Sequence, residues 1–325
     1  MQNLPYNKVK MIYTYIFLLI QYMSSFYSTN KYNITNPVEE MSIGRQASQQ
    51  DTGFYCKIPQ GSEHEITVMA VLDGHGAKNG ALYSSNVRDA LRLVIESDGF
   101  GILVDQQPAS AASNLSDAGE QAAFATLNQY LPNGAVERGV NGLIHCNQPH
   151  CDLLGGTTAT IVCISTSGKI TTFQLGDSDA FLVSPTTCTK LTSHDHSATS
   201  DTAWERIQSL DPKIRASLLW DNYGGRFPGN SRGHAVFPKD QQFGCYYVKN
   251  VSLEGAAFMK APPSAPVNAV LAMTSSFGDH GFVGRGLSSR MDYTIHQAPA
   301  ESVVVVASDG IWDVFDTRNE ADCKI

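Results

Sequence analysis

Three carboxylate–glycine turns carry most of the chemical potential of this sequence: Asp73-Gly74-His75-Gly76, Gly176-Asp177-Ser178 and Asp309-Gly310. Each directly follows a β-rich run. A carboxylate at the end of a strand has a rigid base, and an adjacent glycine opens the backbone so that its carbonyl can also face an ion. Hard divalent cations such as Mg2+ and Mn2+ take oxygen-only shells of this kind and keep some of their waters. A single Asp-Gly is ordinary turn chemistry. Three of them, each after a strand, shift the balance towards a carboxylate metal site. Other pairings have less behind them. His145-Cys146 and His150-Cys151 read as loop thiols beside histidines, because they lack a second cluster with zinc-ribbon spacing. Ser308 has no nearby base, which argues against a serine nucleophile.

The elements that must position these turns follow from apolar periodicity. Glu65 to Leu72 (EITVMAVL) reads as a buried strand ending at Asp73. Ala81 to Glu96 has helical spacing at Val87, Ala90, Leu91, Val94 and Ile95. A second helix is expected over Asp117 to Leu131, entered from a Ser-, Ala- and Asn-rich loop at Pro108 to Asn114. Thr157 to Ser165 and Lys169 to Leu175 form a hairpin about Ser167-Gly168, and Ala180 to Val183 adds a short strand. Trp204 to Leu219 reads as a helix and Tyr223 to Pro238 as a loop. Ala269 to Thr274 and Ser302 to Ala307 read as strands, the latter with a VVVV core expected to be buried on both faces. The simplest architecture is one α+β domain with antiparallel hairpins.

Composition narrows the function. The chain has 325 residues, and 42% are hydrophobic, enough for a sizeable core. With 23 Lys and Arg against 31 Asp and Glu, its net charge is −8, so no general electrostatic pull draws it to nucleic acid. The 7 cysteines form no framework, which favours free thiols in a reducing compartment.

Seven short motifs now fall in one order: Arg45 to Asp51 (RQASQQD), Val71 to Gly76 (VLDGHG), Gly155 to Ala159 (GGTTA), Leu175 to Ala180 (LGDSDA), Leu191 to His196 (LTSHDH), Phe277 to Asp279 (FGD) and Ala307 to Val314 (ASDGIWDV). In this order the chain resembles the metal-dependent serine/threonine protein phosphatases of type 2C, over nearly everything from Gly44 onwards. The resemblance implies a four-layer sandwich: two central antiparallel sheets flanked by helices, with a two-metal site at one edge. It implies Mg2+ or Mn2+ as cofactor, two ions and an optional third, and phosphoproteins as substrates. Asp73 would bridge both ions and the Gly74 carbonyl would bind the second; Asp309 would hold the first, and Asp51 would hold water. Asp177 and Asp313 would serve the optional third ion, His75 would protonate the leaving alcohol, and Arg45 would hold phosphate. The implied reaction is hydrolysis of phosphoserine and phosphothreonine by a water activated between two ions.

Several positions depart from the family pattern. Gln50 stands where Glu is usual, and Arg45 lies six residues before Asp51 where five is usual. Asp179 and Ser275 each occupy a usual arginine position. Beyond the SDG motif, the family's last metal carboxylate and final strand have no counterpart before Ile325, so the expectation is a domain truncated at its C-terminus. The second reading that these departures open is a weak or inactive module that binds or regulates.

The division expected is 1–40 as a leader and 41–325 as the phosphatase-like domain. In the leader, Lys8 and Lys10 precede an apolar run from Met11 to Ile20 and small residues at Ser24 and Ser25. That pattern fits a signal peptide or, extended to Tyr27, an anchor; a disordered leader fits it equally. Membrane association is expected only through this run. The favoured compartment is the cytoplasm, with secretion or anchoring as the alternative, and the favoured state is a monomer.

Overall fold

The computed structural model describes residues 50–59, 65–76, 79–131, 136–138, 144–146, 155–192, 196, 205–206, 209, 219–220, 248–251, 254–257, 259–260, 270–271, 273–283, 286–299 and 301–312. Arg45, Asp313, His150, Cys151, the leader and the loop at 223–238 lie outside the described residues, as does most of the helix expected at 204–219.

The central element is a five-stranded antiparallel sheet. Its strands are β1 (Thr52–Pro59), β2 (Glu65–Leu72), β5 (Ala159–Ser165), β6 (Lys169–Leu175) and β10 (Asp292–Gln297), in the order β1-β2-β5-β6-β10. A smaller antiparallel sheet, in the order β8-β7-β11, consists of β7 (Asp179–Val183), β8 (Cys188–Lys190) and β11 (Val303–Ala307). Alternation along the central strands builds two cores. From β2, Ile66, Val68, Ala70 and Leu72 enter one core; Met69 and Val71 enter the other. From β5, Ala159, Ile161 and Cys163 join the first, and Val162 and Ile164 the second. The first core lies against α1 (Gly80–Ile95), α2 (Phe100–Gln106) and α3 (Pro108–Tyr130). The second includes Ala180, Leu182 and Val306 of the smaller sheet. The layers among the described residues are therefore helices, sheet and sheet. This is the α+β sandwich expected, and its fourth layer lies outside those residues.

The strand β2, the helix α1 and the β5–β6 hairpin stand where periodicity puts them. Gly168, at φ 81°, closes the hairpin, as expected of a residue with no Cβ to clash. Three expectations need correction. The Ser-, Ala- and Asn-rich segment at 108–114 is helical: Pro108 opens α3, where its missing N–H is no loss, and Ala111, Ala112 and Leu115 are buried. The valine run is only half-buried over Val303 to Val305, because its strand lies at one side of the three-stranded sheet. His145 and Cys146 lie in a short strand, Ile144–Cys146, paired with Val136–Arg138, and not in a loop. Of the strand expected at 269–274, Val270–Leu271 is described as strand.

The site is positioned by a third set of short strands. β3 (Gly74–His75), β4 (Gly156–Thr157) and β9 (Phe277–Gly278) pair in the order β9-β4-β3, bringing together three motifs far apart in the chain. A short helix, α4 (Asp309–Trp312), follows β11. No helix among the described residues is long and apolar enough to cross a membrane.

Candidate metal and phosphate site

Asp73 follows β2 directly, and its backbone is clamped on both sides. Its N–H donates to Thr158 Oγ1 at 3.0 Å, and Thr158 N–H donates to the Asp73 carbonyl at 2.9 Å. Thr158 Oγ1 also meets Ser178 Oγ at 2.7 Å, and Thr160 Oγ1 donates to the Ser178 carbonyl at 2.6 Å. The GGTTA motif thereby ties the DGHG turn to the GDS turn. The threonines of GGTTA are thus supports for Asp73 and Ser178, a role that short-range spacing does not signal.

Asp51 and Asp309 both reach Asp73. Asp73 is hydrogen-bonded by side chain to each, and Asp51 also accepts from Ser308 Oγ at 3.1 Å. Burial first, and then the charges of Asp309 and Asp51, hold the Asp73 carboxyl well above the usual carboxylate range. Burial also raises Asp51, the Asp309 charge adds to this, and hydrogen bonds from Asp73 and Ser308 partly offset it. Among the described residues these groups are not arranged as a ready-made set of ligands about one point; they form a row with Asp73 at its centre. Like charges at such separations require either a shared proton or a cation between them. Oxygen-only donors suit a hard divalent ion, so the residues present fit Mg2+ or Mn2+.

The backbone beside this row is tightly packed. A Cβ on Gly74 would lie 2.5 Å from the Gly80 carbonyl oxygen, so no side chain fits there. Gln50, in the usual Glu position, donates from Nε2 to the Gly76 carbonyl at 2.9 Å, and its own carbonyl accepts from Ser84 Oγ at 2.6 Å. Gln50 therefore braces the DGHG turn without charge. Gly176, ahead of Asp177, donates its N–H to His196 Nδ1 at 2.8 Å, and His196 Nε2 lies 2.9 Å from Asp292 Oδ2. His196 of the HDH motif thus supports the Asp177 turn from beneath. Asp179, in the usual Arg position, pairs with Lys190 at 2.7 Å and accepts from Thr192, joining β7 to the chain after β8.

His75 does not stand alone. Its Nε2 lies 2.5 Å from Asp279 Oδ2, and Ser276 Oγ donates to the same oxygen at 2.5 Å. Burial works against a charged imidazole, but the charge and hydrogen bond of Asp279 outweigh it and leave His75 above its ordinary value. For Asp279 burial pushes the other way too, yet His75 and Ser276 bring its carboxyl below the usual range. Of the residues expected at the site, the structure thus gathers Asp51, Asp73 and Asp309, with Gly74 and His75 alongside. Asp177 is near enough for its charge to act on His75. Asp279 is the residue that motif reading quoted without a role; 204 positions separate it from His75.

Comparison with known proteins agrees with this arrangement. The profile of the family described as Protein phosphatase 2C matches residues 38–232, more than half of the sequence. The chain belongs to the Protein phosphatase 2C family, whose members are metal-dependent serine/threonine phosphatases. It is 26% identical over 284 residues to Protein phosphatase 1M of Mus musculus, and 24% identical over 279 residues to that of Homo sapiens. Each match covers 78% of this chain and 60% of the relative, so the chain spans about three-fifths of the length of these relatives. Among solved structures, the fold is similar to a sex determining protein of C. elegans, with TM-score 0.51 and 18% identity over 86% of this chain and 52% of that one. It is equally similar to serine-threonine phosphatase 2C from Toxoplasma gondii, with TM-score 0.50 and 18% identity over 86% and 78% of the two chains.

Proposed function

We propose that this chain hydrolyses phosphoserine and phosphothreonine in proteins, using divalent cations held at the row Asp51, Asp73 and Asp309. The observation that carries the reading is the convergence of these three carboxylates, from segments more than two hundred residues apart, into mutual hydrogen-bond contact. In this reading Asp73 bridges two Mg2+ or Mn2+ ions, the Gly74 carbonyl holds the second, and Asp309 holds the first. Asp177 and Asp313 serve a third. Bound divalent ions would neutralise phosphoryl charge and acidify a water. The protein's own groups do the rest: Asp51 orients that water, Arg45 holds the phosphoryl oxygens, and His75 supplies the proton that the serine or threonine oxygen needs on leaving. The raised affinity of His75 for its proton supports the acid role near neutral pH. The phosphatase unit of this reading is 41–325, a monomer acting in the cytoplasm.

Release of phosphate from a phosphoserine peptide tests the reading. Mn2+ should switch the reaction on, and Asp73→Ala should remove nearly all of it, because two cations without a bridging anion repel one another. Retention of most of the wild-type rate by Asp73→Ala would overturn the two-ion assignment. No Mn2+-dependent release from the wild-type chain would favour the other reading, a binding or regulatory module.

A further inference from the structure

The FGD motif contributes nothing to the metal row, yet its aspartate is among the most tightly held groups in the protein. Asp279 is buried, adopts φ 44° and donates its N–H to the Gly155 carbonyl at 2.9 Å. A non-glycine residue in the left-handed region is uncommon, and it persists only where its surroundings hold it there. Its Oδ2 receives both Ser276 Oγ and His75 Nε2. The glycines of GGTTA clear the space for this meeting. A Cβ on Gly156 would lie 2.5 Å from Asp279 Oδ2, 2.9 Å from His75 Nε2 and 2.6 Å from the Phe277 carbonyl oxygen. Three motifs, DGHG, GGTTA and FGD, therefore converge on one His–Asp contact.

The hydrogen bonds divide the imidazole in two. Nε2 is taken by Asp279, whereas Nδ1 is enclosed and makes no hydrogen bond to any protein group. An enclosed ring nitrogen without a partner is costly, and it marks a place where a partner arrives. We propose that Asp279 is a positioning residue for His75: by holding Nε2–H it fixes the ring and leaves Nδ1 as the nitrogen that exchanges a proton with the departing alcohol. As the bond from phosphorus to the serine oxygen breaks, that oxygen takes the Nδ1 proton. The ring is left neutral with Nε2–H still on Asp279, and Nδ1 regains a proton from solvent before the next turnover. The carboxylate also favours the charged ring, since a neutral imidazole is a far poorer acid. Ser276 holds the carboxylate in turn, so Asp279 cannot rotate away from the ring.

The catalytic consequence rests on the phosphatase reading, but the orientation of the ring does not, and the experiment separates them. In the metal-free protein labelled with 15N-histidine, long-range NMR correlations at alkaline pH report which ring nitrogen keeps its proton. His75 should keep it on Nε2, and Asp279→Asn should lose that preference. A proton on Nδ1 in the wild type, or a tautomer unmoved by Asp279→Asn, would overturn the proposal. With Mn2+ and a phosphoserine peptide, Asp279→Asn should lower kcat by about 10²-fold, the scale of a general acid, with KM and thermal midpoint little changed. With an aryl phosphate, whose leaving group scarcely needs a proton, kcat should barely fall. Equal losses on both substrates would mean that Asp279 is merely structural, and the proposal would fail. If the wild type hydrolyses neither substrate, the phosphatase reading falls while the NMR arm still decides the orientation. Should Asp279→Asn not fold, Ser276→Ala takes its place: it should show the same substrate split in weaker form, and equal loss on both substrates would again overturn the proposal.

Discussion

At the scale of single residues, the site is a set of charges that the fold holds closer together than they would choose. Asp73 is the clearest case, for burial and the adjacent carboxylates hold its pKa well above that of an exposed aspartate. In the folded, metal-free protein this group binds its proton more tightly than in the unfolded chain, where the ordinary value is 3.8. Its contribution to stability is then complete below that value and is lost as pH rises through the raised folded value. At neutral pH without metal, Asp73→Asn should therefore raise the thermal midpoint, since it removes one of three crowded charges. Saturating Mn2+ should reverse the order, because only the wild type offers the bridging anion and ligand binding stabilises the folded state. Scanning both proteins with and without Mn2+ checks this, and an order that never reverses would count against a cation at Asp73.

Much of this row was legible in the sequence. Asp73, Asp177 and Asp309 each follow a β-rich run and precede or follow glycine, and that signal is local. The contacts that hold the site together are not local. Thr158 clamps Asp73 from 85 positions away, and Asp279 meets His75 across 204. No periodicity reports such pairings, because they depend on how β3, β4 and β9 come to lie side by side.

At the scale of elements, the same contrast recurs. The strand β2 is legible because EITVMAVL is apolar on both faces, as a strand between two cores must be. The strands β1 and β10 carry polar residues at alternate positions and leave a weaker signal, consistent with their place at the two edges of the central sheet. The first turns of α3 read as a loop because PASAASN is small and polar; the helix is held there by packing of Ala111, Ala112 and Leu115, not by propensity. Smallness has a purpose further along this helix. A Cβ on Gly119 would come within 2.6 Å of Phe277 Cε1, and Phe277 is fully buried in the helix-side core. In an open helix, Gly119→Ala would gain about 1 kcal/mol. Here overpacking of about 1–3 kcal/mol should outweigh it. Because Phe277 begins the FGD motif, the change should also weaken activity. Chemical denaturation of the variant gives the sign directly, and net stabilisation would show that the ring can move aside.

At the scale of the whole molecule, the central sheet is the shared wall of two cores, and the carboxylate row sits where the chain leaves that wall. Ile161 faces the helices and Ile164 faces the smaller sheet, both from β5. If the wall is one cooperative unit, Ile161→Ala and Ile164→Ala should each cost about 2–5 kcal/mol and shift one common unfolding transition. A variant that melted one side first would show two units instead. The same geometry explains how seven short motifs spread along the chain come to serve one place. Strand ends and the turns after them gather at one edge, while the strands themselves do nothing but hold that edge rigid.

The central claim is that this edge binds divalent cations through Asp51, Asp73 and Asp309, and calorimetric titration of Mn2+ into the metal-free protein tests it most directly. The wild type should bind with a dissociation constant below the millimolar range, and Asp73→Asn should weaken that binding by about tenfold or more. Wild-type binding no tighter than millimolar, or equal affinities in the two proteins, would contradict the account.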